Sequence, residues 1–139
     1  MRGRAAVPSR RKRMRSVEEK LAFKCVLEER TAAFALGVFR LLDALPQLPS
    51  TRVISFQLGK SASSVGANYR EANRAESSDD FKHKIAITLK ECSESLYWLK
   101  LLHALYPDNA VCSDLFRECD EMLRIFQTVK RRLSERKAE

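Results

Sequence analysis

Residues 61–72 read SASSVGANYREA and residues 90–99 read KECSESLYWL, and these two segments decide the fold of the chain. Both set small and polar residues among apolar ones at the three- and four-residue spacing of a helix face. The first segment is almost entirely small up to residue 67, and its Gly66 costs about 1 kcal/mol relative to alanine inside a helix. Because helices that accept this cost often lie close to another backbone, we expect a close helix–helix contact at Gly66.

Helical periodicity continues on both sides of these segments and predicts four helices in all. A capping-box pattern at residues 16–19 begins the first helix, and Pro46 and Pro49 end it. The Ser-Ser-Asp-Asp segment of residues 77–80 provides the N-cap of the third helix, and Pro107 ends that helix. The predicted helices span about residues 16–45, 51–76, 79–106 and 111–134.

Four long helices joined by short loops are typical of an antiparallel bundle. We therefore predict an all-α fold, an up-down-up-down antiparallel four-helix bundle over residues 16–135. The third helix carries one apolar stripe with Ile85 and Leu99 and a second with Trp98 and Leu101. The second stripe indicates a surface that packs on something beyond its own bundle.

The formal charge of +8 is concentrated near the two ends of the chain. Residues 1–15 hold seven lysine and arginine residues and no acid, which leaves +1 for the rest. We predict a disordered basic tail over residues 1–15 and a short C-terminal tail over residues 136–139. Phosphates are drawn to such charge without sequence preference. The predicted nucleic-acid-binding residues are Arg10, Arg11, Lys12, Arg13, Arg15, Lys130, Arg131 and Arg132.

The apolar runs indicate neither a membrane segment nor a secretory signal. The longest run falls short of the roughly 20 residues of a membrane span, and the basic leader lacks a continuous apolar core. We expect a cytoplasmic protein, with an organelle transit peptide as the alternative interpretation of the leader. The four cysteines include no C-x-x-C pair, so we expect all of them to be reduced and buried: Cys25, Cys92, Cys112 and Cys119.

The sequence offers no pattern typical of catalysis or of metal binding. Neither His83 nor His103 follows a glutamate by three residues, as the metal sites of carboxylate-bridged bundles require. No histidine is placed to act as a base for a serine, and residues 61–66 lie within a helix and do not form a phosphate loop. We therefore predict that the protein is not an enzyme and has no catalytic, cofactor-binding or metal-binding residues.

The two opening segments and the start of the third helix resemble the four-helix-bundle proteins encoded by intervening sequences in bacterial 23S ribosomal RNA genes. The resemblance covers roughly residues 20–134 and leaves the basic tail outside. Departures from the family pattern are small: Val65 stands in place of isoleucine, Cys92 in place of alanine and Ser95 in place of threonine. The matching positions are Ser61, Ser63, Val65, Gly66, Ala67, Asn68, Glu71, Ala72, Ser77, Asp80, Phe81, Ile85, Ala86, Lys90, Glu91, Glu94, Ser95, Tyr97, Trp98 and Leu99.

This resemblance implies a homo-oligomer without enzymatic activity. The family is similar in fold to the accessory variability proteins of diversity-generating retroelements, which form barrel-shaped homopentamers that bind nucleic acid and a reverse transcriptase. A homopentameric barrel is therefore implied here, and together with the basic tail it predicts binding of nucleic acid, RNA above all. A protein-binding adaptor or scaffold with no nucleic-acid role is the alternative.

Polar residues in the matching segments have three open interpretations. They form a buried hydrogen-bond network that fixes helix register, a subunit interface, or a ligand-binding patch. The spacing places those of the second helix on one side and those of the third on another. Trp98 is expected to anchor the core or an interface, and base stacking is the less favoured role. These candidates are Ser61, Ser64, Asn68, Glu71, Glu91, Glu94 and Trp98.

Overall fold

Four helices make up the part of the chain that the computed structural model describes, which is the backbone of residues 10–137 and the side chains of residues 17–136. Helix α1 spans Arg10–Asp43, α2 spans Pro49–Asn73, α3 spans Ser78–Leu105 and α4 spans Ala110–Lys137. No strand occurs in this range, and the prediction of an all-α fold is confirmed.

The first helix begins earlier than predicted. It starts at Arg10 and not at Ser16, so the capping-box pattern lies inside the helix. Arginine, lysine and methionine are good helix formers, and no glycine or proline interrupts residues 10–16. The predicted tail is therefore helical from residue 10 onward, and residues 1–9 lie outside the described residues. Helix α4 likewise continues to Lys137, into the predicted C-terminal tail.

Side-chain caps fix the starts of α2 and α3. Pro49 occupies the first turn of α2, where its missing N–H is not needed by the helix. The Thr51 hydroxyl oxygen accepts a hydrogen bond from the Leu48 N–H at 2.9 Å. Ser77 Oγ accepts from the Asp80 N–H at 3.0 Å, as the sequence predicted.

The helices form an antiparallel bundle that α1 and α4 close. Each helix packs on its neighbour in sequence, and α1 also packs on α4. Apolar stripes at helical spacing fill the space between the four helices. The largest fully buried apolar side chains are Phe34, Val38, Leu58, Val65, Ile85, Leu99, Leu102, Met122 and Phe126.

The small residues of α2 allow α1 to approach closely, as predicted at Gly66. A Cβ atom added to Gly66 would lie 3.1 Å from Thr31 Oγ1 and 3.3 Å from Thr31 Cβ, closer than ordinary contact. Thr31 is fully buried, so it has no room to move. At Gly59 an added Cβ would lie 3.5 Å from Leu42 and Phe39, which is ordinary contact.

Three of the four cysteines are buried, and the prediction is wrong for Cys25, which is exposed. The Sγ atoms of Cys92 and Cys119 lie 3.9 Å apart across the α3–α4 contact. The hydrogen bond with Cys92, and next burial, raise the pKa of the Cys119 thiol. Both side chains are fully buried and pack as small apolar groups. Across the described helices, none has the length and apolar character that a membrane span needs.

Candidate nucleic-acid interface

Antiparallel packing places the start of α1 beside the end of α4. Arg30 of α1 donates through Nε to Glu118 of α4 at 2.6 Å and forms an ion pair with Glu121 at 3.1 Å. From this contact α1 runs back towards Arg10 while α4 runs on towards Lys137. The two helix ends therefore leave the bundle on the same side.

The end of α2 shows how far α1 extends beyond the bundle. Asn73 Nδ2 and Arg74 Nη1 both donate to Glu28 Oε1, at 3.3 and 2.9 Å. Helix α2 thus ends level with Glu28. The residues of α1 from Arg10 to Glu28 continue past that level for about 27 Å at the helical rise.

Nearly all of the net charge lies in this projecting part. We call residues 10–24 of α1 and 129–137 of α4 the cationic end. It holds twelve lysine and arginine residues and three glutamates, a net charge of +9. The residues between them, 25–128, hold 12 basic and 14 acidic residues, a net charge of −2. All eight predicted nucleic-acid-binding positions fall in the cationic end: Arg10, Arg11, Lys12, Arg13, Arg15, Lys130, Arg131 and Arg132.

The α4 cations of this end are accessible. Lys130, Arg131 and Arg132 are all exposed. Arg131 makes a long contact of 3.7 Å with Glu135, and both side chains of this pair are exposed. Exposed pairs of this kind contribute little to stability. These side chains can therefore reach phosphates at little cost in lost contacts.

A cavity of about 380 Å³ lies at the base of the cationic end. Sequence reasoning missed it, because its lining comes from all four helices. The sequence places Phe23 at helical spacing from Leu27 and Phe34, but only the structure shows that Phe23 is 50% exposed. The cavity is lined by Glu19, Lys20, Phe23, Lys24, Tyr69, Asn73, Phe81, Val129 and Arg132.

The polar candidates of α2 do not form a single network. Ser61 is 1% exposed, and its hydroxyl lies 2.9 Å from the buried Ser95 hydroxyl of α3. Ser64 and Asn68 bond only to carbonyl oxygens of their own helix. Glu71 is exposed and accepts from Lys84 Nζ at 2.7 Å.

The expectation that these four residues share one side fails for a geometric reason. Ten residues of α-helix separate Ser61 from Glu71, and at 3.6 residues per turn they rotate the side chain about 80° off the original face. Ser61 therefore faces the core while Glu71 faces solvent. The interpretation as a register-fixing hydrogen bond applies to Ser61, which joins α2 to α3.

The candidates of α3 form a separate, half-buried cluster. Trp98 Nε1 donates to Glu94 Oε1 at 3.4 Å, and the Tyr97 ring meets the Trp98 ring edge-on at 5.0 Å. Trp98 also packs against the core. Burial, and next the charge of Glu94, raise the pKa of Glu91. This cluster lies away from the cationic end, since α3 begins beside that end and residues 91–98 come several turns later.

The opposite end of the bundle exposes apolar side chains. The α1–α2 and α3–α4 connections meet there, because the helices alternate in direction. Phe56 is the most exposed large apolar residue of the described range, at 69%. Contiguous exposed apolar surface is typical of interaction sites. We call the apolar end the set Leu36, Phe39, Leu48, Val53, Phe56, Leu105 and Val111.

The described residues include no group of three or more histidine, cysteine, aspartate or glutamate side chains placed to hold a metal ion. Two other cavities, of about 490 and 450 Å³, are lined by mixed charges around Glu71 and Lys84 and by the neighbourhood of His103. Neither groups acidic, basic and nucleophilic side chains in a recognisable catalytic arrangement.

Comparison with known proteins agrees with this architecture. The family model described as 23S rRNA-intervening sequence protein matches residues 25–128. A crystal structure of a protein with unknown function from the S23 ribosomal protein family, from Bacteroides thetaiotaomicron VPI-5482, has a similar fold. The TM-score is 0.67 and the identity 31%, over 74% of this chain and 96% of that chain. No curated protein matches this chain. Both segments of the cationic end lie outside the matched residues.

Proposed function

The chain belongs to the 23S rRNA-intervening sequence protein family, and we propose that it is a non-enzymatic, homo-oligomeric protein of the cytoplasm that binds RNA through its cationic end. One observation carries this proposal. Two basic segments from opposite ends of the chain meet at one end of the bundle, with a net charge of +9 beside a family-matched region of −2.

The binding mechanism is release of counterions from RNA. Each phosphate that a lysine or arginine neutralises frees condensed cations, so affinity falls steeply as salt is added. The charge of α1 between Arg10 and Lys24 extends along about 21 Å at the helical rise, which favours several phosphates in a row over one isolated anion. In this mode of binding the protein contacts the sugar–phosphate backbone of the RNA and does not require a particular base sequence.

The apolar end supports self-association, with a homopentamer as the assembly that the family resemblance implies. Its seven apolar side chains come from the four helices and the α1–α2 connection, and they are 42–69% exposed to solvent. A second copy of the chain would remove this surface from water. Copies joined at the apolar end would bring several cationic ends to one RNA, and such multivalency raises the overall affinity.

The same surface favours a second candidate function, a protein-binding adaptor or scaffold without a nucleic-acid role. Trp98 and Tyr97 on α3 would extend the contact area, since aromatic side chains often dominate interface energetics. A partner that stays bound after nuclease treatment, together with no RNA affinity of the purified protein, would favour this candidate.

RNA binding as a function of salt tests the main proposal. Fluorescence anisotropy would compare the full chain with a variant in which glutamine replaces Arg10, Arg11, Lys12, Arg13 and Arg15. We expect the slope of log affinity against log salt to become shallower by about 4 or 5 on duplex RNA.

The matched control replaces five exposed cations outside the cationic end, namely Arg40, Arg52, Lys60, Lys100 and Arg117. We expect this control to keep most of the salt slope of the full chain. A flat salt dependence of the full chain, or equal losses in both variants, would contradict the proposal.

A further inference from the structure

We propose that the cavity at the base of the cationic end binds one unpaired nucleobase of the RNA whose phosphates the cationic end holds. This inference rests on the proposed function and names the part of the RNA that the same site would recognise.

Aromatic side chains from three helices line the cavity. Phe23 comes from α1, Tyr69 from α2 and Phe81 from α3. The Tyr69 ring is 3% exposed and packs against Phe126, so the rings open to a ligand are Phe23 and the half-buried Phe81. Unpaired bases in protein–RNA complexes stack on accessible aromatic rings, and every base has a π-face that can do so. Phe23 is half exposed in the chain, so a bound base would cover apolar surface that now contacts water.

The charges around the cavity suit a nucleotide better than a neutral apolar ligand. The exposed cations Lys20, Lys24 and Arg132 border it, against the single acid Glu19. An aromatic body joined to a phosphate fits apolar walls with a cationic border. Lys20 and Arg132 also belong to the cationic end, so a strand held there can continue directly into the cavity.

The size of the cavity fits one base with its sugar. Its volume of about 380 Å³ lies in the range of about 300–1,000 Å³ that is typical of small-molecule sites. A base inside a duplex has both faces covered by its neighbours and cannot enter without leaving the stack. The cavity therefore favours single strands, loops and bulges over continuous duplex.

Asn73 lines this site, and its amide also lies within reach of the Tyr69 hydroxyl. Its Nδ2 donates to Glu28 Oε1. Arg74 and Asn73 lower the pKa of Glu28, so this carboxylate is ionised and only accepts. The amide is thus held with its nitrogen towards Glu28, and its buried Oδ1 has no partner among the described residues. The N–H groups on the pairing edge of a base are donors that can satisfy such an oxygen.

Binding measurements in which Phe23 and the bases of the ligand are removed singly and together test this inference. The probes are a short single-stranded RNA of mixed sequence and an oligonucleotide of the same length that has every phosphate and ribose but no bases. We expect Phe23→Ala in the full chain to weaken binding of the RNA about tenfold, the usual size of one stacking contact. The abasic oligonucleotide should bind the full chain and Phe23→Ala equally well.

Two variants control for unfolding and for general loss of apolar surface. Phe23→Tyr keeps an aromatic ring and should retain the RNA affinity of the full chain. Phe56→Ala removes an equally large, exposed ring at the apolar end and should leave the difference between the two probes unchanged. Unfolding midpoints of all three variants would be measured beside the binding curves.

The outcomes separate the two proposals. Equal losses on both probes, or no loss on either, would overturn the base-binding inference while leaving phosphate binding intact. If neither probe binds the full chain even at low salt, the proposed RNA function fails and the inference fails with it.

Discussion

The two ends of this bundle differ in charge and in their relation to the family. The cationic end projects beyond α2, carries +9 and lies outside the residues that match the family model. The apolar end lies within the matched residues and exposes seven large apolar side chains. Charge acts over distances of about 10 Å at ordinary salt, whereas apolar contact acts only when surfaces meet. On our proposal the shared fold therefore supplies assembly, and the projecting helices supply RNA affinity.

Removing charge from the cationic end should have the largest effect. Replacing Lys130, Arg131 and Arg132 together by alanine should weaken RNA binding about 100- to 500-fold near 0.1 M salt, because each lost phosphate contact costs up to about tenfold. Anisotropy titrations would measure this loss. The matched variant replaces Arg40, Arg52 and Lys60 and should bind nearly as well as the full chain. Similar losses in both would show that the two ends do not differ in RNA binding.

A charge placed in the apolar end should weaken assembly next most strongly. Phe56→Glu should weaken self-association about 30-fold or more, since a buried carboxylate without a partner replaces an apolar contact of the size seen at interface hot spots. Light scattering after size-exclusion chromatography would give the mass. Leu21→Glu, at a residue 57% exposed in the cationic end, should leave the mass unchanged. An unchanged mass for Phe56→Glu would place the interface elsewhere.

Two glycine substitutions test the packing that joins the ends. Gly66→Ala should lower the free energy of unfolding by about 1 kcal/mol, because overpacking against Thr31 outweighs the gain in helix propensity. Gly59→Ala meets only ordinary contacts and should raise it by about 0.5–1 kcal/mol. Chemical denaturation would measure both. Equal stabilisation by the two alanines would contradict the close approach of α1 at Gly66.

The smallest expected effect concerns Glu91, which lies between the two ends. Folding raises the pKa of Glu91 above its value of 4.5, through burial first and the charge of Glu94 second. The fold therefore favours the protonated form, and the free energy of unfolding should fall as the pH rises from about 4.5 through the raised pKa. Glu91→Gln removes this loss and should stabilise the protein by a few tenths of a kcal/mol at pH 7, since solvent screens the half-exposed carboxylate.

Urea denaturation at pH 4 and pH 7 would measure this effect, with Glu76→Gln as an exposed control. The benefit of Glu91→Gln should disappear at pH 4, where the wild-type carboxyl carries its proton. A benefit of the same size at both pH values would show that shape, and not charge, is responsible.

Much of the fold was predictable because local signals and the global arrangement agree. Ser77 followed by acids, Pro107 in a turn and apolar spacings of three and four each indicated the same four helices. Gly66 in the sequence indicated a close helix–helix contact, and the structure identifies Thr31 as its partner. The start of α1 differs from the prediction because the helix propensity of the basic residues before Ser16 extends the helix past the capping pattern.

The candidate site was only partly predictable, because it depends on contacts between distant helices. The charges in the sequence identify both basic clusters. That the two clusters lie at the same end of the bundle follows from the antiparallel contact of Arg30 with Glu118. The aromatic cavity combines residues from all four helices, so no local pattern contains it. The expectation that Ser61 and Glu71 share one side of α2 was wrong, because the ten residues between them do not complete a whole number of turns.

The contact of Gly66 with Thr31 also helps to set the axial alignment of α1 on α2. The axial distance of any earlier α1 residue from this contact is the number of residues to Thr31 multiplied by the helical rise. A slip of one turn at this contact would lengthen or shorten the projecting arm by about 5.4 Å. On our proposal, the absence of a side chain at Gly66 therefore contributes to how far from the bundle a strand of RNA is held.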